Sequence, residues 1–237
     1  ENGWSVFVEK PLTMDPRLSD KLAIKANFNK VHGTIGYQKR FNQPFRTMRE
    51  YVRNKGVEVC SLRIRMLSPQ FSNSSQLGEG RGGVEWDLMP HVMDMAIWIM
   101  GVENFGEISS LEVKSRGPGS IAISLRIREC SIDLLADWSS RKTRKPELSG
   151  EVEFVDGERI AADEDMCQSF SRSGKVEKML HRRDLPPVWF DIAESDYSEQ
   201  MMGVFNLVEG GASENATLNS AAIVDRAIFE ALEGNFE

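Results

Sequence analysis

Three residues are suited by type and spacing to chemistry. Lys10 ends the run Ser5-Val-Phe-Val-Glu-Lys-Pro-Leu12, and Asp87 and His91 stand four apart in Trp86-Asp-Leu-Met-Pro-His91. A neutral imidazole titrates near working pH and can take a proton from a hydroxyl. An ammonium bonded to the same hydroxyl stabilises the developing alkoxide. The carboxylate would orient the imidazole or a neighbouring hydroxyl. Together they cover the proton half of an alcohol oxidation, while the hydride must go to a separate acceptor. Each residue also has a plainer reading: Lys10 as a surface lysine at a strand end, Asp87 as a helix N-cap, His91 as a satisfied core histidine.

The three meet only if a strand end and a distant helix start are brought together. Trp4 to Glu9 is short, β-branched and aromatic, and it predicts a buried strand ending at Lys10-Pro11. Thr13 is placed to cap a helix in which Leu18, Leu22, Ile24, Ala26 and Phe28 are apolar among lysines and asparagines. Gly33 stops that helix, and Thr34 to Gln38 predicts a second strand. Strand, helix and strand in this length form a right-handed βαβ unit with parallel strands. Such a unit calls for further parallel strands beside it. Ligands of parallel sheets bind at the carboxyl edge, where Lys10 stands.

A helix over Pro44 to Asn54 puts Phe45, Met48, Tyr51 and Val52 on one side. Alternation then takes over: Val57 to Leu67, Ile108 to Ser115, Ile121 to Arg128, Ser131 to Trp138 and Glu151 to Val155 read as strands. Between the first two of these, a helix starts near Leu88, since Pro90 fits a first turn, and ends at Gly101. Asp87 falls at its N-cap, with His91 and Asp94 roughly on one side. A last helix, Leu218 to Leu232, follows a Thr217 cap with Ala221, Val224, Ile228 and Leu232 on one stripe. The expected fold is α/β to α+β: a βαβ unit, then a large open, mostly antiparallel sheet with helices on one face. The other face is solvated or pairs with a second subunit.

A chain of 237 residues is one large domain or two modest ones. A net charge of −7 argues against nucleic acid as a main partner, since phosphate binding wants a basic face. No apolar run is long enough for a bilayer span; Val92 to Met100 is interrupted by Asp94 and reads as a core helix. Cys60, Cys130 and Cys167 give neither a disulfide framework nor a zinc pattern, so no metal site is expected. Cys60 and Cys130 sit in strand-like runs and read as buried free thiols. A reducing cytoplasm fits them. His32 reads as a helix-end histidine and His181, beside two arginines, as exposed.

Gly78-Glu-Gly80-Arg-Gly-Gly83 formally matches G-x-G-x-x-G, but a dinucleotide fingerprint needs a strand directly before it and an acidic residue at the next strand's end. Here Ser68 to Ser75 is loop, and Glu103 and Glu107 lie in a turn. The match is rejected, and these glycines are read as letting the loop from Ser68 to Gly83 pass close to a ligand. Arg141 to Lys145 is a second polar loop, a solvated strand connection or a phosphate contact.

Four stretches carry a family likeness: Val6-Phe-Val-Glu-Lys-Pro-Leu12; Ile35-Gly-Tyr-Gln-Lys-Arg-Phe-Asn42; Gly82-Gly-Val-Glu-Trp-Asp-Leu-Met-Pro-His91 with Asp94 and Gly101; and Asp137-Trp-Ser-Ser140. In order and spacing the chain resembles the glucose–fructose oxidoreductase and inositol dehydrogenase (Gfo/Idh/MocA) family of NAD(P)-dependent sugar and polyol oxidoreductases. The resemblance implies that residues 1–39 are the closing βαβ of a Rossmann, dinucleotide-binding domain. Residues 40–237 would be a substrate-binding open-sheet domain, assembling as a dimer or tetramer through the sheet. It implies Lys10, Asp87 and His91 as catalytic residues. Glu9, Lys10, Pro11, Gln38 and Arg40 would lie at NAD or NADP, and Lys10, Arg40, Trp86, Asp87 and His91 around a sugar or polyol. The family's phosphate-binding glycines would lie ahead of residue 1, so the chain is expected to be most of a dehydrogenase without its front end and to bind NAD(P) poorly alone. The competing reading is a non-catalytic sugar-binding regulatory protein of the same fold, against which the joint retention of Lys10, Asp87 and His91 speaks.

Overall fold

Two strand patterns, one short and one long and alternating, build two sheets; the first short strand is not buried as expected, since Val6 is exposed and Phe7 and Val8 are half-buried. The structure, a computed structural model, describes residues 5–69, 82–138, 147–182, 196–211 and 213–234. In the smaller sheet β1 (Val6–Val8) lies parallel to β2 (Gly33–Ile35), with Val6 opposite Gly33 and Val8 opposite Ile35. The crossover is α1 (Pro16–Phe28). Its N-cap is Asp15, whose carboxylate accepts from Arg17 N at 3.0 Å, with Pro16 pre-set for the first turn. Thr13 does not cap it. The Thr13 hydroxyl instead pairs with Ser19 Oγ at 2.7 Å and donates to the Asp15 carbonyl.

Both strands are shorter than their apolar runs suggested. β2 stops where Tyr37 N turns back to the Ile35 carbonyl at 2.8 Å, and a 3-10 turn over Gln38–Phe41 follows. Gln38 is therefore in a turn, not at a strand end. Later in the chain β11 (Ala216–Thr217) adds to β2 antiparallel, which the sequence reading did not foresee.

After α2 (Gln43–Lys55) comes β3 (Val59–Leu67), then a four-residue helix α3 (Val84–Asp87) and α4 (Met89–Met100). The strands β4 (Ile108–Gly117), β5 (Ser120–Ile127), β6 (Cys130–Asp137) and β7 (Glu147–Phe154) follow. Three further strands, β8 (Arg159–Asp163), β9 (Met166–Phe170) and β10 (Val176–Arg182), and the helix α5 (Asp196–Val208) went unread in the sequence. The eight strands form one sheet in the order β10-β9-β8-β7-β3-β6-β5-β4. All neighbours are antiparallel except β3 with β6.

One face of this sheet is the core. Leu62, Ile64 and Met66 lie beside Ile132, Leu134 and Ala136 in register, all buried, while Arg63, Arg65, Ser131 and Asp133 point to the other, open face. Burying one side of a period-2 pattern sets the register, because a one-residue slip would put Arg63 and Arg65 into the core. Gly150 lies within β7, which starts at Glu147, ahead of the expected Glu151. Its role is packing: a Cβ there would come within 2.9 Å of Phe45 Cε1 on α2. The helix α6 (Leu218–Glu233), capped by Thr217 accepting from Ser220 N at 3.2 Å, packs against α1 and α4 and so ties the small sheet to the large one.

Candidate active site

The site forms where β1 ends and α3 runs into α4. Lys10 follows β1, and its peptide bond to Pro11 is cis. Its ammonium donates to Asp87 Oδ1 at 2.7 Å and also to the Asp87 backbone carbonyl. The two side chains are only 14% and 16% exposed, so the pair is shielded from water. Asp87 is not an N-cap. It lies in the last turn of α3, and Leu88 joins the two helices with helical angles (φ −94°, ψ −39°) and no capping side chain. With no extended residue at the junction there is no cap position to fill, and the carboxylate is free to turn to Lys10.

His91 is buried, one turn into α4. Its ring meets Tyr37 edge-on, centroids 6.1 Å apart, and Nδ1 has no hydrogen-bond partner among the described residues. Burial pushes its pKa well below 6.5, and the charges of Lys10 and Lys39 push it further. The imidazole is neutral at pH 7 and open to a proton. Lys39 is held by Glu164 at 2.7 Å, with Asp196 at 3.7 Å. The Tyr37 phenol stays protonated, raised well above 10 by burial and then by the charges of Asp225 and Asp94.

The remaining expected site residues are placed as follows. Arg40 is buried and forks onto Asp94, Nε to Oδ2 at 2.8 Å and Nη2 to Oδ1 at 2.5 Å. That bidentate bond joins the 3-10 turn to α4. Gln38 donates to the Tyr197 hydroxyl at 3.1 Å. Glu9 is exposed and lies over Gly36, where a Cβ would approach Oε2 to 2.7 Å; Lys10 pairs with Asp87 rather than with Glu9. Trp86 is buried, packed beside Gly82. Gly78, Gly80 and the loop from Arg141 to Lys145 lie outside the described residues. The sequence reading missed Tyr37 and Lys39, although both stand in the quoted run from Ile35 to Asn42. Glu164 and Asp196 had no sequence signal, because only the folded chain brings β8–β9 and α5 to Lys39.

Among the described residues no group of three or more His, Cys, Asp or Glu is arranged to hold a metal, and no helix is long and apolar enough to cross a membrane. Cys130 and Cys167 are buried, but Cys60 is exposed, correcting its expected burial. Cys60 is the extra residue at an irregularity between Val59 and Ser61, where regular alternation is lost. For a nicotinamide cofactor the fit is to its reactive end. Lys10 and Pro11 follow parallel β1, and Gly36 and Gln38 follow β2, the edge where such ligands bind. The described residues hold no strand–glycine turn–helix unit for a pyrophosphate; Gly82 and Gly83 lead only into four-residue α3.

The sequence matches no family model, and no curated protein matches it. Solved structures do. GenD2 from gentamicin A biosynthesis, in complex with NAD, aligns with TM-score 0.76 at 20% identity over 97% of this chain and 68% of its own. An oxidoreductase from Agrobacterium radiobacter, in complex with NAD+, L-tartaric acid and magnesium, aligns with TM-score 0.72 at 14% identity, covering 97% and 70%. UDP-N-acetylglucosamine 3-dehydrogenase GnnA from Acidithiobacillus ferrooxidans aligns with TM-score 0.71 at 16% identity, covering 98% and 71%. At these identities the likeness is one of fold, and it spans nearly the whole chain, from the short βαβ unit through the large, mostly antiparallel open sheet.

Proposed function

We propose that this chain carries the substrate-side machinery of an NAD(P)-dependent oxidoreductase acting on a secondary hydroxyl of a sugar, polyol or sugar derivative. The observation that carries the reading is the shielded Lys10–Asp87 pair beside a buried, neutral His91, at the carboxyl edge of a parallel strand pair. In this reading His91 accepts the hydroxyl proton. Lys10, held by Asp87, hydrogen-bonds the same oxygen and stabilises alkoxide charge in a site with little water to screen it. Burial and the two cations make His91 a weak base, but the same cations favour the alkoxide, which offsets at oxygen part of what they cost proton uptake at nitrogen.

NAD or NADP, when bound, supplies the hydride acceptor. Glu9, Lys10, Pro11 and Gln38 would face its nicotinamide end. Arg40, paired to Asp94, and Trp86, in the core, would shape the substrate side from behind. Among the described residues β1 is paired on one side only, and its Val6 is exposed, which supports reading residues 1–39 as part of a larger parallel sheet of a dinucleotide-binding domain. The open face with Arg63, Arg65, Ser131 and Asp133 would be where copies associate, a point for sedimentation analysis.

The test is NAD(P)H formation over a panel of polyols, sugars and nucleotide sugars, using protein expressed from its complete gene. His91→Asn and Lys10→Met are each expected to lower kcat/KM by about 100-fold or more while nucleotide binding persists. Turnover that survives both substitutions would overturn the assignment. Sugar binding without turnover on any substrate would favour a regulatory protein of the same fold.

A further inference from the structure

Asp225 is a carboxylate that the chemistry above does not use. It lies on α6, 0% exposed, with no cation paired to it among the described residues. Its Oδ2 accepts from the backbone N–H of Thr13 at 2.9 Å and from the Ser19 hydroxyl at 2.7 Å. Ser19 belongs to α1, and its oxygen also meets Thr13 Oγ1 at 2.7 Å. A buried, unpaired carboxylate is an expensive filler, and an apolar side chain would close the α1–α6 seam at lower cost. What the carboxylate does hold is the segment Lys10-Pro11-Leu12-Thr13. One end of that segment is tied to α3 through Lys10 and Asp87, the other to α6 through Thr13 and Asp225.

We propose that Asp225 is a positioning residue for Lys10: by anchoring the Thr13 amide it fixes the turn after β1 and so the place from which the Lys10 ammonium reaches Asp87. Three residues of linkage, one of them proline, leave the turn little freedom once Thr13 is held. Without the anchor the backbone of residues 11–13 would relax, and the Lys10 side chain would lose its fixed origin. The catalytic value of this positioning rests on the reading of Lys10 given above, but the positioning itself does not.

The test reads Lys10 directly. Lysines are 13C-methylated in protein from the complete gene, and the Lys10 signal is assigned with Lys10→Arg. Asp87→Asn defines its position when the ion pair is gone. Asp225→Ala is expected to move the Lys10 signal at least halfway towards the Asp87→Asn position. Asp225→Asn, which keeps an acceptor oxygen, should move it less. Melting curves show that each variant is folded. If Asp225→Ala does not fold, Ser19→Ala, which removes one donor from the same oxygen, should give a smaller displacement in the same direction. A folded Asp225→Ala, or failing that Ser19→Ala, with Lys10 unmoved would overturn the proposal. Because the readout needs no substrate, a negative result here is distinct from failure to find a dehydrogenase activity.

Discussion

The buried carboxylate of Asp225 makes stability depend on pH in a calculable way. Burial lifts its pKa from 3.8 to about 6, against the opposing pull of the Ser19 and Thr13 hydrogen bonds. The folded state therefore holds this proton more tightly than the unfolded chain. Its stabilising contribution is complete below pH 3.8, falls as pH rises towards 6, and is gone above that. The difference amounts to about 3 kcal/mol. Asp225→Asn keeps an oxygen for Thr13 and Ser19 and removes the charge. Urea unfolding of wild type and variant at half-unit steps from pH 4 to 8 should show Asp225→Asn gaining on wild type by about 3 kcal/mol between pH 4 and 7 and no further above. Other carboxyls titrate in the same range, but they are common to both proteins and cancel in the difference. A difference that is flat with pH, or that turns against the variant as pH rises, would refute the reasoning, since Asp225 would then be ionised as easily folded as unfolded.

Three further outcomes follow from particular contacts. Asp94→Ala leaves the Arg40 guanidinium buried and unpaired, so unfolding free energy should drop by about 3–5 kcal/mol in urea titration. Ellman's reagent should count one fast thiol, Cys60, in the native protein and three in urea, because Cys130 and Cys167 are buried with pKa values pushed up to about 12. Gly150→Val would drive a side chain into Phe45 and should lower stability by about 1–3 kcal/mol, read as a lower urea midpoint, even though valine suits a strand better than glycine.

Much of the fold was legible from local pattern. The alternation over Val57 to Leu67 identified a strand, because a strand with one dry side has period 2 whatever its neighbours are; the structure shows that Leu62, Ile64 and Met66 form the dry side. The α6 cap at Thr217 and the αL glycine at Gly101 were likewise readable, since capping and positive φ are decided within a few residues. Pattern failed where a residue's role was set from elsewhere. The strand over Glu151 to Val155 was read, but not its start at Glu147 or the room that Gly150 leaves for Phe45; Asp87 looked like a cap and proved to be the partner of Lys10.

For the site, the sequence by itself determined which side chains could do the chemistry: a lysine at a strand's carboxyl end, and an imidazole near a helix start. Tertiary structure decided their state. His91 is neutral because the sheet and helices exclude water around it and two lysines from distant segments face it. Asp225 titrates near 6 because α1 and α6 close over it. Neither could be read along the chain, since solvation and Coulomb energies depend on what surrounds a group in space, and for these groups the surroundings come from segments as many as 212 positions away.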